Sequence, residues 1–334
     1  MTRVTNDVGL DYHLNSLQVC VMDQRADVIL NHRCDNDLGS LLPVLERAGG
    51  VSKIALEACE GSADLAEALT AAGPWAVELA HPLYVSKLKG SPDKSDYTDA
   101  RLLADLSRVG YLPRVWLAPR AVRELRQLVT HRHRLADDRR ALKLRVGAVL
   151  RNERVKLEGT RGSKPWLAAL ASCEALSETA RWLIDDLLDE LSGVVRRLAR
   201  AEARLRAVTR EDAVVAKLMT LEGVGEVTAW TLRAVIGRFD RFKSAKQLCR
   251  YCGLSPKNTA SGQRQTQGGL IDATHRRLRA ILIQAAQRLV RTTPRWKVLG
   301  PRLIARGKPR NVAVAAVANR WMRTVHHRMT TTPA

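Results

Sequence analysis

Four carboxylates in the first hundred residues have the types and spacing for metal chemistry: Asp11, Glu57, Asp96 and Asp99. Asp11 closes the run "DVGLD" and Glu57 the run "KIALE", so each falls at the end of a predicted strand. Asp96 and Asp99 stand three apart at a predicted helix start, which puts both on one face. If the two strand ends are neighbours and the helix packs beside them, the four acids converge. Clustered carboxylates repel one another unless a cation lies between them. Hard oxygen ligands in that number suit Mg²⁺ or Mn²⁺. Two such ions can clamp the attacking and leaving oxygens of a phosphoryl transfer. Each acid also has an ordinary structural role open to it. Asp96 can cap a helix, Asp99 can face a helix dipole, Glu57 can sit in a loop and Asp11 in a turn. Asp7, Glu60, Asp93 and Asp105 are rivals of the same chemistry. It is the set, in strand–strand–helix order, that points to metal.

A second candidate lies far along the chain. The stretch "GLSPKNTASGQRQTQGG" has no apolar run and reads as a loop. It carries Ser261, with Lys257 and Arg264 close by and His275, Arg276, Arg277 and Arg279 just beyond. A serine hydroxyl needs a base, a metal or stabilising cations to act as a nucleophile. Ser261 has no adjacent His or Asp, but these cations could steady a pentacoordinate phosphorane. Residue chemistry alone favours a phosphate-binding loop over a nucleophile here, with Ser244 and Ser255 as rivals. Upstream, "LEGVGEVTAWTLRAVIG" resembles a helix–hairpin–helix element. Gly223 and Gly225 would free backbone N–H groups to grip a phosphate, although a glycine turn between packed helices is common.

The elements that must position these residues change along the chain. Over the first 115 residues, "DVGLDYH", "SLQVCVMD", "ADVILNH", "SKIALEAC" and "PWAVELAH" read as strands. "LGSLLPVLERAG", "SADLAEALTAAG" and "SDYTDARLLADLSRVG" read as helices, which makes a mixed α/β domain. From about Ala118 the pattern turns helical. Two long charged helices, broken at "GTRGSKPW", predict an antiparallel arm or coiled coil over 116–212. Residues 213–334 read as short-looped helices forming a small all-α domain, including the basic amphipathic "THRRLRAILIQAAQRLVR".

Charge follows the same division. Residues 1–115 hold 11 basic and 16 acidic groups, whereas residues 241–310 hold 17 basic groups and one acid, Asp272. Such a field concentrates polyanions, so nucleic acid is the expected partner. No apolar stretch approaches the ~20 residues that span a bilayer, and the N-terminus lacks a signal-peptide pattern. A cytoplasmic, nucleoid-associated protein is expected, with no membrane partner. Of six cysteines only "CRYC", Cys249 and Cys252, has metal-like spacing. A structural zinc site takes four ligands, so these read as buried or idle thiols.

Taken in order, "VGLDYH", "ALEACEG", "DKSDYTDARLLADL" and "LEGVGEVTA…SAKQLCRYCGLSP…ASG" resemble the DEDD insertion-sequence transposases that use a bridge RNA, and their relatives the pilin-gene invertases. The resemblance covers nearly the whole chain. It implies an RNase H/RuvC-like N-terminal domain with Asp11, Glu57, Asp96 and Asp99 as the metal-holding tetrad. It implies a coiled-coil arm and a C-terminal domain whose Ser261 attacks a DNA phosphodiester and becomes linked to a 5′ phosphate. It further implies a composite active site in a dimer or tetramer, and a structured non-coding RNA that pairs with donor and target DNA. Two positions depart from the family pattern: Glu60 precedes Gly61 in "EACEG", and Glu222 stands where "PGVG" has proline. Two other functions compete. One is a metal-dependent junction endonuclease with no covalent serine step; the other is an inactivated nucleic-acid-binding relative.

Overall fold

The computed structural model of the chain describes residues 5–89, 95–261, 264–272 and 275–331, with the side chains of 258–267 outside that description. It divides into two units, Met1–Pro119 and Arg120–Ala334.

The first unit is built on six strands: β1 (Asn6–Tyr12), β2 (Ser16–Met22), β3 (Val28–Asp35), β4 (Val51–Glu57), β5 (Ala76–Ala80) and β6 (Arg114–Val115). Four helices are interspersed: α1 (Leu38–Ala48), α2 (Ser62–Ala72), α3 (Pro82–Val85) and α4 (Asp96–Arg108). The sheet order is β3-β2-β1-β4-β5-β6. β1 runs antiparallel to β2 and parallel to β4, and β4 runs parallel to β5. This mixed sheet is consistent with the RNase H-like arrangement expected for the N-terminal domain.

Alternation along the strands sorts their side chains to two faces. Val8, Leu10, Ile54 and Leu56 pack with Leu41, Leu45, Leu65 and Leu69 of α1 and α2. The opposite face carries Gly9, Cys20, Ala55 and Ala80, which are paired neighbours or near neighbours across the sheet. α4 lies on this strip of small residues, with Ala100 and Ala104 against Cys20 and Met22, and Leu103 against Ala55 and Ala80. The approach is so close that a Cβ on residue 9 would stand 2.0 Å from Ala100 O and 2.4 Å from Ala104 N. Glycine is therefore required there to seat the helix.

The second unit consists of α5 (Arg120–Asn152), α6 (Lys164–Ala171), α7 (Glu178–Val208), α8 (Ala213–Met219), α9 (Glu226–Ile236), α10 (Ala245–Tyr251), β7 (Pro256–Ser261), β8 (Arg264–Leu270), α11 (Arg276–Thr292), α12 (Pro294–Ala305) and α13 (Arg310–Thr331). α5 and α7 pair antiparallel. Leu135 meets Leu198 and Ala201, Leu142 meets Leu191 and Val194, and Val146 and Leu150 meet Ile184. At the base of this pair, Leu125, Val129 and Leu205 enter the core of α8–α13 beside Trp230, Leu282, Leu289, Trp321 and Met322.

The C-terminal region is not all-α. The stretch expected as a loop forms a two-stranded hairpin, with Asn258 opposite Gln267, Thr259 opposite Thr266 and Ser261 opposite Arg264. Its sequence, PKNTAS and RQTQGGL, lacks the hydrophobic alternation that marks a strand. Among the described residues no helix is long and apolar enough to cross a membrane.

Candidate active site

β1 and β4 are parallel neighbours, and their last paired residues are Leu10 and Leu56. Asp11 and Glu57 follow directly, so they emerge side by side at the same sheet end. Both lie an even number of residues beyond the small residues Gly9 and Ala55, which puts them on the face that α4 covers. The first turn of α4 supplies Asp96 and Asp99 at that end. Its preceding residue, Ser95, makes no side-chain cap, and Thr98 Oγ1 donates to the Ser95 carbonyl at 2.8 Å. The expected convergence of strand ends and helix start is therefore present.

His13 completes the group. Its Nε2 lies 3.2 Å from Asp11 Oδ2 and 3.3 Å from Asp96 Oδ1. Ligand atoms of Asp11, His13 and Asp96 all lie within 4.8 Å of one another, close enough to share one metal ion. Lys89 Nζ holds Asp99 Oδ2 at 2.6 Å. The Asp11 carboxyl is held above the ordinary carboxylate range, chiefly by burial. His13 opposes that shift, while the charges of Asp99 and Asp96 add to it. A crowded, half-buried set of acids of this kind gains from a divalent cation, and the oxygen-rich donor set fits one. Asp99, in the same turn of α4 as Asp96, adds its charge to that at Asp11, and Glu57 ends β4 beside the end of β1.

Sequence reasoning missed His13 and Lys89. The signal for His13 was present, because a residue two beyond Asp11 falls on the same side of an extended strand. Lys89 left none, since its pairing depends on how the chain returns between β5 and α4. The rival acids separate cleanly. Asp7 is fully buried at the other end of β1, where Ser107 Oγ donates at 3.0 Å and Lys53 Nζ lies at 3.5 Å. Asp105 pairs with Arg108 at 2.6 Å, and Glu60 is exposed. Asp93 lies outside the described residues.

Gly61 has a positive φ of 88° and sits under the Tyr12 hydroxyl, which would meet a Cβ at 2.2 Å. The loop after β4 thus closes on the end of β1, beside the acids.

In the second unit, Ser261 ends β7 opposite Arg264 at the hairpin turn, and the side chains of both lie outside the description. The hairpin root is tied down: Ile271 N donates to Ser255 O at 3.0 Å, and Arg279 Nη1 donates to Ile271 O at 2.8 Å. Ser244 caps α10 by accepting from Gln247 N. Lys257 and Arg276 are exposed. Arg277 is committed to an ion pair with Asp137 of α5. Gly223 has φ of 80° and packs against Leu289, where a Cβ would come within 2.8 Å. Gly225 caps α9, but Glu226 in the first turn places a carboxylate there, paired with Arg206 at 2.7 Å. An arriving phosphate would meet that charge. Cys249 and Cys252 are fully buried in the core, and burial pushes both thiols up, as expected of structural cysteines.

Residues 8–153 match the family profile of IS110-type DEDD transposases, and residues 215–299 match that of the transposase IS116/IS110/IS902 family. A probable family 20 transposase of Pseudomonas aeruginosa is 30% identical over 80% of each chain. The transposase for insertion sequence element IS1111A of Coxiella burnetii is 25% identical over 85% of this chain and 78% of its own. The transposase for insertion sequence element IS1328 of Yersinia enterocolitica is 22% identical over 84% of this chain and 82% of its own. The first profile spans the acid-bearing unit and α5, the second lies within the helical unit that carries the serine hairpin, and the chain belongs to the IS110-type DEDD family of insertion-sequence transposases, DNA-processing enzymes.

Proposed function

We propose that this transposase cuts and rejoins DNA through a covalent phosphoserine at Ser261, assisted by Mg²⁺ at the acidic tetrad and guided by an RNA from its own element. The observation that carries the reading is the grouping of Asp11, His13 and Asp96 at one sheet end, with Asp99 in the same helix turn and Glu57 at the end of the neighbouring strand. Mg²⁺ held there supplies positive charge to the oxygens of the phosphate undergoing transfer.

In the proposed step, Ser261 Oγ forms a bond to the scissile phosphorus and the P–O3′ bond breaks. The serine proton passes to solvent, and the departing 3′ oxygen takes one up to become a 3′ hydroxyl. Rejoining reverses these changes with a 3′ hydroxyl from the partner strand, so no bond energy is lost. Lys257, Arg264 and Arg276, on or next to the hairpin, favour this reading because cations stabilise the charge gathered on a pentacoordinate phosphorus. The acids and the serine lie in different units of the chain, which suits a dimer or tetramer in which one protomer's serine works with another's acids.

One observation favours a second reading. Asp11, His13 and Asp96 come together within the first unit alone, and a metal-dependent junction endonuclease built on them would need no serine. Incubation with Mg²⁺, co-purified RNA and a nicked suicide substrate separates the two. A protein–DNA adduct that disappears in Ser261→Ala supports the covalent route. Cleavage undiminished in Ser261→Ala, with no adduct in the wild type, supports the endonuclease. Sequencing the RNA that co-purifies tests guidance: recovery of one structured transcript from beside the gene is expected, and recovery of none removes the RNA from the mechanism.

A further inference from the structure

A cavity of about 580 Å³ opens between the end of α8, the start of α12 and the last turns of α13. Its position is set by the α8–α9 turn. Trp321 Nε1 donates to the Glu222 carbonyl at 2.8 Å, and Trp296 Nε1 donates to Glu222 Oε2 at 3.2 Å. Two indoles from different helices thus grip the residue that stands where the family pattern has proline. Leu221 gives the cavity an apolar wall, and Trp321 and Val325, each 2% exposed, close its floor. Lys217, Arg295 and Arg328 also line it, and with Glu222 they leave a net of two positive charges. Arg295 is exposed, and its guanidinium lies over the Trp296 ring at 4.8 Å.

This combination has a definite complement. A duplex backbone needs cations but gains nothing from an apolar hollow, and its bases are stacked away from it. A small apolar ligand would give the exposed Arg295 and Arg328 no counter-charge. A base with its phosphate satisfies both, and the volume lies within the range of small-ligand sites. Arg guanidinium planes are among the usual platforms for an unstacked base. The Glu222 carboxylate, holding one indole N–H, keeps acceptor capacity for the N–H groups of a base edge.

We propose that this cavity binds a single unpaired nucleotide of the nucleic acid that the proposed function has the enzyme handle, with its base over Leu221 and the Arg295 guanidinium and its phosphate toward Arg328. The chemistry is shared by DNA and RNA, so the test has an arm for each. Full-length protein is titrated by fluorescence anisotropy with a short labelled duplex, fully paired or carrying one bulged nucleotide, made as DNA and as RNA. The expected result is about tenfold tighter binding of the bulged duplex in at least one arm, the size of one base-stacking contact. Arg295→Ala and Arg328→Ala should abolish that preference while keeping most of the affinity for the paired duplex. A second measurement needs no variant: a 5-iodouridine placed at the bulge should photocrosslink to peptides containing Trp296 or Trp321. Equal affinity for paired and bulged duplexes in both arms overturns the proposal. So does a preference unchanged in both arginine variants, or crosslinks that map only elsewhere in the chain.

Discussion

Asp7 and Asp11 stand four residues apart on one strand, and their surroundings give them opposite roles. Asp7 is wholly buried and held by Ser107, Gln24 and Lys53, so its partners are all donors supplied by the protein. Asp11 is crowded by other acids and, among the described residues, balanced by His13 alone, which leaves a demand for a cation. The same substitution at each should therefore read out differently. Asp7→Asn replaces an acceptor oxygen by a donor among donors, and should cost roughly 1–3 kcal/mol of stability. Chemical denaturation measures it, and DNA cleavage by the folded fraction should be little changed. Asp11→Asn removes charge at the site while relieving repulsion, so the fold should hold. A loss of several kcal/mol of charge stabilisation in the reaction corresponds to a cleavage rate about a thousandfold lower. Cleavage assays at saturating Mg²⁺ check this, and equal losses at the two positions would show that the buried acid also serves the chemistry.

At the scale of elements, the site depends on how closely α4 seats on the sheet. Gly9→Ala would drive a methyl into the backbone of Ala100 and Ala104, which cannot yield as a flexible side chain would. The helix must lift, at a cost of roughly 3 kcal/mol, near the upper end for overpacking. Asp96 and Asp99 lift with it, so the variant should lose unfolding stability and, if the proposed Mg²⁺ site is correct, the thermal stabilisation expected from added Mg²⁺. In the second unit, the α5–α9 contact carries a titrating group. His133 is buried, and burial lowers its pKa to about 4, with Arg132 and Arg277 adding and Asp137 opposing. Thr231 Oγ1 donates to Val227 O, so it accepts from His133 Nε2–H, which fixes a neutral tautomer. The unfolded chain binds a proton near pH 6.5 that the folded one refuses until about pH 4. Stability should therefore fall as pH drops through that window, by roughly 2–3 kcal/mol from this residue. His275, lowered by burial beside Arg126 and Arg241, acts in the same direction. Unfolding free energies measured from pH 7 to 4 should show the slope, and His133→Gln should flatten it. Much of this architecture was legible in the chain. The apolar runs ending in Asp11 and Glu57 and the small residues Gly9 and Ala55 already sort the acids to one face. The hairpin was not legible, because β7 and β8 are held by backbone pairing with no apolar stripe. Nor was the commitment of Arg277 to Asp137, a contact between residues 140 apart that no local pattern records.

Over the whole molecule, the two units carry opposite charge. Residues 1–119 hold 11 basic and 16 acidic groups, whereas residues 120–334 hold 44 basic and 18 acidic. A unit with a net negative charge repels a polyanion, so the first unit depends on the second to hold DNA. Association should accordingly be driven by cations of residues 120–334 and weaken steeply with salt. The structure distinguishes which cations count. Arg276 and Arg277 are adjacent and both exposed, but Arg277 already spends its charge on Asp137, while Arg276 makes no ion pair among the described residues. For a cation that neutralises one phosphate, the slope of log K against log salt changes by about 0.9. Arg276→Gln should therefore reduce the slope by about that amount, uniformly across DNA sequences. Arg277→Gln should change it much less, because DNA would have to break the ion pair before using the arginine, and it should instead loosen the packing of α11 on α5, visible as a lower melting temperature. Binding isotherms over a series of KCl concentrations with two unrelated duplexes test both statements. Equal slope changes in the two variants would mean that the Arg277–Asp137 pair opens when DNA binds, and that α11 presents both arginines to the backbone.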